Sequence, residues 1–197
     1  MNTEQRKIGE VVLELKNISL SFGGVNALTD ISFDVRQHEI RAIIGPNGAG
    51  KSSMLNVING VYTPQKGHIV FQGNTRAQMK PHEAATQGIA RTFQSLALFK
   101  GMSVLDNIMT GRNLKMKSNI FQQAIRWGPA EREEIEHREK VERIIEFLEI
   151  QQHRKTQVGR LPYGLQKRVD LGRALAMEPT LLLLDEPMAG MNVEEKQ

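Results

Sequence analysis

Gly45-Pro46-Asn47-Gly48-Ala49-Gly50-Lys51-Ser52 carries the spacing G-x-x-x-x-G-K-[ST], the pattern of a phosphate-binding loop. Just before it, Ile40-Arg41-Ala42-Ile43-Ile44 shows no clean alternation. Near-continuous apolar character predicts a strand covered on both faces, as in a parallel α/β sheet. Just after it, Ser52-Ser53-Met54-Leu55-Asn56-Val57-Ile58 reads as the start of a helix. Glycines let the backbone curl so that successive N–H groups point at one anion. The helix N-terminus adds about half a positive charge at the same spot. A nucleotide is therefore expected along Gly45, Asn47, Gly48, Ala49, Gly50, Lys51, Ser52 and Ser53. Lys51 would reach the β- and γ-phosphates, and the Ser52 hydroxyl would ligate Mg²⁺.

Downstream, Leu181-Leu182-Leu183-Leu184-Asp185-Glu186 is a second apolar run, and it ends in two acids. In doubly wound sheets, ligands sit at the C-terminal ends of strands. Asp185 is thereby a candidate Mg²⁺ ligand, through water. Glu186 is placed to take a proton from an attacking water, and a positioned base contributes on the order of 10²–10⁴ in rate. A second acid points to ATP hydrolysis with a dedicated base rather than phosphorylation of a substrate.

Upstream of the loop, Val11–Leu15 is one apolar run, while Ile18–Phe22 and Ile31–Val35 alternate at period two. Alternation means one buried and one wet face, as in an antiparallel sheet. Ile69-Val70-Phe71 is strand-like, and Pro81 to Gln87 reads as a short helix. Helical signals dominate 103–178. Ser103 is placed to cap a helix beginning at Val104, with Asp106 three residues on. From Glu131 to Leu148, the residues Ile135, Val141, Ile144, Ile145 and Leu148 are expected along one face. Glu134/Arg138, Glu136/Lys140 and Glu139/Arg143 are acid-before-base pairs four apart. The pattern predicts a helical lobe inserted in an α/β core.

The chain has 197 residues, 40% hydrophobic and 24% charged, which suits one folded domain with an attached lobe and argues against disorder. No apolar run approaches the roughly 20 residues a bilayer needs. The absence of cysteine removes disulfides and thiolate metal sites. The net charge of +4 sits wholly within 112–168, where 13 Lys/Arg face 8 Asp/Glu. Such a stretch suits an anionic membrane leaflet, nucleic acid or an acidic partner, or is simply a solvated helical face.

Four motifs in one order resemble the ATP-binding cassette (ABC) ATPases: Gly45–Ser53, Gln94 after Arg91-Thr92-Phe93, Leu161–Val169 and Leu181–Pro187. The resemblance covers nearly the whole chain. It implies an α/β fold: a P-loop NTPase (RecA-like) core with an N-terminal antiparallel β subdomain and an inserted α-helical subdomain. The parts would run 1–95, 96–178 and 179–197. It implies that Phe22 stacks on adenine, and that Gln94 touches Mg²⁺ and the lytic water. With Lys51 and Glu186, Gln94 would then serve catalysis, and with Ser52 and Asp185 it would hold the metal.

Leu161-Pro162-Tyr163-Gly164-Leu165-Gln166 lies where the family has its LSGGQ signature. Pro162 supplies neither hydroxyl nor N–H, so the role is expected to fall on Gly164 and the amides after it. Ala189-Gly190-Met191-Asn192 resembles the family's D-loop. The Tyr-Gly signature, that turn and the insert at 112–140 are similar to the ATPase subunits of branched-chain amino-acid importers. The partners implied are a second ABC ATPase subunit and a membrane permease, with peripheral association at the cytoplasmic face and no nucleic acid.

The family's switch histidine lies beyond the D-loop. The five histidines, His38, His68, His82, His137 and His153, all precede Asp185. The sequence is thus expected to be a piece of a longer protein, with the last strands missing and weak turnover by itself. Lipopolysaccharide or urea transport, a DNA-repair or chromosome-type ABC ATPase, and a non-hydrolysing binding module are the alternatives.

Overall fold

The computed structural model describes residues 8–76, 79–115 and 129–187. The D-loop turn at 189–192 and most of the insert before residue 129 lie outside the described residues. The chain divides into two compact units, residues 1–87 and 88–197.

The first unit is built on β1 (Val11–Phe22) and β2 (Val25–Arg36), an antiparallel pair. Gly23 and Gly24 join them, both at positive φ, as the tight hairpin turns that match strand twist require. The two runs expected as separate strands, Val11–Leu15 and Ile18–Phe22, are one continuous strand. Its register shifts between Leu15 and Ile18, and Asn17 stands at φ 51°. This bulge adds a residue and changes the phase of the pleat. Leu13 and Leu15 before it, and Ile18 and Leu20 after it, are consequently all buried. β3 (Lys66–Phe71) pairs antiparallel with β1, and β4 (Asn74–Arg76) with β3, giving the order β2-β1-β3-β4.

Helix α1 (Lys51–Ile58) follows the glycine-rich loop and buries Met54, Val57 and Ile58. Fully burying such a side chain contributes about 1.5–3 kcal/mol. Helix α2 (Pro81–Thr86) begins with proline at its first turn, and Glu83 Oε2 accepts from the Lys80 amide at 2.9 Å.

The segment 40–44 is not the buried strand that its composition predicts. Ile40 is 99% exposed and Ile44 92%, and the backbone there is irregular. A strand needs a hydrogen-bonded neighbour, and among the described residues of the first unit none pairs with this segment.

In the second unit, β5 (Ile89–Arg91) and β6 (Leu181–Leu183) form a parallel pair. The pair is extended at both ends, where Thr180 donates to the Gly88 carbonyl at 2.8 Å and Thr92 to the Leu183 carbonyl at 3.0 Å. The same unit holds α3 (Val104–Met109), α4 (Pro129–Phe147) and α5 (Tyr163–Ala176), which pack on one another, α5 also reaching β5. Ser103 caps α3 as expected: its Oγ accepts from the Asp106 amide at 3.1 Å and donates to the Asp106 carboxylate at 2.6 Å. Val104, Ile108, Val141, Ile145, Val158 and Val169 form the centre of the core. Gly172 lets α5 approach closely, since a Cβ there would meet Ile108 and Leu148 methyls, each 2.9 Å away.

Along α4, Val141, Ile145 and Leu148 are buried, but Ile135 is exposed. At 100° per residue Ile135 falls off the stripe, and His137 falls on it. His137 is buried there and accepts from Arg112 Nε at 3.0 Å through Nδ1. Arg112 also donates to the Ala176 carbonyl at 2.6 Å and pairs with Glu178 at 3.0 Å. Burial and the nearby guanidinium hold the His137 imidazole below its ordinary value.

Candidate functional site

In the first unit the glycine-rich loop is shaped by backbone conformations that only glycine adopts without cost. Gly48 and Gly50 stand at φ 82° and 83°. Gly50 is doubly constrained, because a Cβ there would run into the Ala27 carbonyl oxygen of β2. The Ala49 amide closes a turn on the Pro46 carbonyl at 3.2 Å. Lys51 folds its ammonium back over the loop, donating to the carbonyls of Gly45 at 2.7 Å and Pro46 at 2.8 Å. A cation held at the mouth of a curled loop, beside a helix N-terminus with no acidic residue in its first turn, is suited to a polyphosphate. Ser52 is exposed and Ser53 half-buried on the first turn of α1.

Phe22 closes β1 with its ring exposed. Its edge meets Tyr62, centroids 5.0 Å apart and planes at 69°. Tyr62 was not singled out by the sequence. The signal for it was an aromatic residue in the Gly60-Val61-Tyr62-Thr63-Pro64 loop after α1.

In the second unit, β6 delivers Asp185 and Glu186 just past its last residue. Asp185 is buried and pairs with Arg91 at the end of β5, Nη2 to Oδ2 3.0 Å. Glu186 takes φ 47°, a left-handed conformation that costs a non-glycine residue on the order of 1–3 kcal/mol and clusters at functional sites. Its Oε2 accepts from Gln94 Nε2 at 3.1 Å. Two residues 92 apart in sequence thus meet at one carboxylate, and Gln94 and Glu186, each expected from the sequence, are brought together.

Sequence reasoning missed Arg91, whose guanidinium also lies over the Phe93 ring, 5.0 Å from its centroid. The available signal was an arginine directly after Ile89-Ala90 in an apolar strand, since a buried charge requires a partner. Also missed were Lys167, Asp170 and Arg173 on α5. Asp170 is buried; burial pushes its carboxyl up, against the pull of Arg173 and Lys167.

Helix α5 opens at Tyr163 with Pro162 as its cap residue and no side-chain cap. Gly164 is its second residue and is buried, while Tyr163 is exposed. The signature segment is therefore a helix N-terminus that carries no side-chain cap.

With this geometry in place, comparison with known proteins gives the class. A family model described as ABC transporter matches residues 28–189, and the chain belongs to this family. Its fold is the P-loop NTPase fold of ATP-binding cassettes, and it is a nucleotide-binding ATPase of that kind. Among curated relatives, the high-affinity branched-chain amino acid transport ATP-binding protein LivG of Salmonella typhimurium is 30% identical over 188 residues, 95% of this chain and 74% of that protein. The probable LivG of Methanocaldococcus jannaschii is 36% identical over 183 residues, 91% of this chain and 69% of that protein. Among solved structures, a nucleotide-free ATP-binding cassette from an ABC transporter superposes with a TM-score of 0.77 at 32% identity. The ADP conformation of the cassette MJ1267 gives 0.78 at 33% identity. Each comparison covers 95% of this chain and 73% of the other.

Proposed function

We propose that the chain is the ATP-binding and ATP-hydrolysing subunit of an importer of branched-chain amino acids. The observation that carries the chemistry is the Gln94–Glu186 contact at the end of β6, beside the Arg91–Asp185 pair. The cargo rests on the relatives' names and on the Tyr163-Gly164 signature.

In this reading Lys51 leaves the Gly45 and Pro46 carbonyls for the β- and γ-phosphates, and Gly45, Asn47, Gly48, Ala49, Gly50, Ser52 and Ser53 line the phosphate chain. Phe22 stacks on adenine. Ser52, Asp185 and Gln94 hold Mg²⁺, which when bound neutralises charge on the transferred phosphoryl group. Asp185 would supply the carboxylate on releasing Arg91, with which it pairs at 3.0 Å, and Mg²⁺ in such sites relies on one or two carboxylates, water and the phosphates. Glu186 is the general base, and the Gln94 amide orients its carboxylate, leaving Oε1 to take the water proton. Gly164 and the N-terminus of α5 would present main-chain donors to the γ-phosphate held by a second cassette.

The transport half of the reading assigns the chain to the cytoplasmic face of a membrane, bound to a permease. Among the described residues no helix is long and apolar enough to cross a bilayer, which fits a subunit that associates peripherally. Co-expression with the permease genes of its own operon tests both halves. A complex that hydrolyses ATP faster in the presence of loaded leucine-binding protein is the expected outcome. Purification of the chain without any membrane subunit, or stimulation by an unrelated cargo alone, would remove the branched-chain assignment.

A further inference from the structure

Strand β1 runs further than the strand paired with it on one side. β3 begins at Lys66, which stands opposite Ser19, while β1 continues to Phe22. Carrying that register two residues on sets Pro64 opposite Ser21. Proline has no N–H to give to a ladder, so the main chain cannot complete the pairing at Ser21. The side chain of Gln65 does so instead. Its Oε1 accepts from the Ser21 amide at 2.9 Å and its Nε2 donates to the Ser21 carbonyl at 3.0 Å. Its own main-chain amide donates to the Ser19 carbonyl at 3.0 Å. Giving and taking a bond at one residue makes the hydrogen-bonded pair of an antiparallel ladder, and here a side-chain amide imitates it. Gln65 is exposed, so burial does not account for the contact.

The next residue of β1 is Phe22. Its ring is 46% exposed and meets Tyr62 at 69°, centroids 5.0 Å apart. Tyr62 is half-buried, and its amide donates to the Asn56 carbonyl of α1 at 3.2 Å. The loop 60–65 therefore holds the end of β1 twice, at the backbone through Gln65 and at the ring through Tyr62. The same loop is fastened to the helix that follows the glycine-rich turn.

We propose that Tyr62 and Gln65 are positioning residues for Phe22: Gln65 fixes the peptide from which the phenyl group projects, and Tyr62 fixes the tilt of the ring. The inference rests on the ATPase reading above, in which Phe22 stacks on adenine. Edge-to-face pairing gives a ring a preferred orientation beyond the area it buries. A ring already in place loses less freedom when a base stacks on it, and that preorganisation appears as affinity. Anchoring the loop on α1 also sets the spacing between the ring and the residues that line the phosphates.

The test titrates ADP, and inorganic pyrophosphate as a probe without the base, into the unaltered protein and into Tyr62→Leu, Tyr62→Phe, Gln65→Met and Phe22→Ala. Tyr62→Leu is expected to weaken ADP binding about 2–10-fold, the range of one aromatic pair. Gln65→Met removes both bonds at Ser21 with little change of shape and should weaken it by about 2–10-fold as well. Pyrophosphate should bind both variants within about two-fold of the unaltered protein, a split that general loss of structure would not produce. Tyr62→Phe should keep its affinity for ADP, since the ring and not the hydroxyl makes the contact. Gln65→Met, at an exposed position, reads the proposal if Tyr62→Leu fails to fold. Unchanged ADP affinity in Gln65→Met or in a folded Tyr62→Leu overturns the proposal. So does pyrophosphate affinity that falls in step with ADP, or a loss in Tyr62→Phe equal to that in Tyr62→Leu. Phe22→Ala that binds ADP as tightly as the unaltered protein defeats the adenine reading instead, whatever the other variants do.

Discussion

The candidate site residues of the two units are held in place by different means. The phosphate loop of the first unit is held by its backbone: positive φ at Gly48 and Gly50, a turn at Ala49, and a lysine folded onto two carbonyls six and five residues before it. The acid cluster of the second unit is held by side chains. Arg91 and Asp185 are 94 residues apart, and Gln94 and Glu186 are 92 apart. A loop built from local backbone conformation can be read from a nine-residue window. A cluster built from long-range side-chain bonds depends on charges that balance only after the chain has folded, and this difference sets how each set should fail.

The largest effect is expected at the carboxylate. Glu186→Gln keeps the shape and the contact with Gln94 but removes the base, so kcat should fall on the order of 10²–10⁴-fold with nucleotide affinity retained. Parallel turnover and titration measurements would show it; undiminished turnover would move the base elsewhere. Next is Arg91→Met, which leaves Asp185 buried without its guanidinium. Breaking a buried pair from one side costs about 3–5 kcal/mol, read in denaturant unfolding of the second unit. Adding Asp185→Asn should return much of that stability without returning Mg²⁺-dependent activity. If Arg91→Met alone were neutral, the acid cluster would not depend on side-chain charge balance.

A smaller loss is expected from the loop. Gly50→Ala forces a left-handed alanine, at about 1–3 kcal/mol, and drives its methyl toward the Ala27 carbonyl. Nucleotide affinity should drop, which ADP titration checks; an unchanged affinity would show that the loop's backbone conformation does not hold the phosphates.

The smallest effect is on pH. His137 is held below its ordinary 6.5 by burial first and Arg112 second, with Lys140 adding to the depression and Glu133 and Glu136 opposing it. The unfolded chain therefore binds the proton more readily. Stability present above pH 6.5 is lost as pH falls toward the folded value. His137→Gln should flatten the slope of unfolding free energy as pH falls below about 6.5, and an unchanged slope would assign it to other groups.

Much of this was legible in residues alone. The glycine spacing, the twin acids after Leu184 and the cap at Ser103 each rest on local chemistry, and local chemistry survives folding. Other features were not legible, for particular reasons. The bulge at Asn17 joins what read as two strands, because an added residue changes alternation without ending the strand. Ile135 has the composition of a core residue and His137 does not, yet at 100° per residue the position of His137, not that of Ile135, lines up with Val141 and Ile145. Arg91, Lys167, Asp170 and Arg173 looked like ordinary surface charges, since nothing in a linear chain tells a solvated guanidinium from one seated on a carboxylate.

The two apolar runs draw the boundary. Ile40–Ile44 and Leu181–Leu184 have the same composition signal for a strand covered on both faces. Leu181–Leu183 became a strand because Ile89–Arg91 lies beside it and accepts its ladder, while 40–44 pairs with no described strand of its own unit and leaves Ile40 and Ile44 exposed. The sequence by itself determined the phosphate loop, the order of the motifs and the identity of the two acids. Only the tertiary structure decided which apolar run is a strand and which arginine neutralises Asp185, because each of these depends on a partner dozens of residues away.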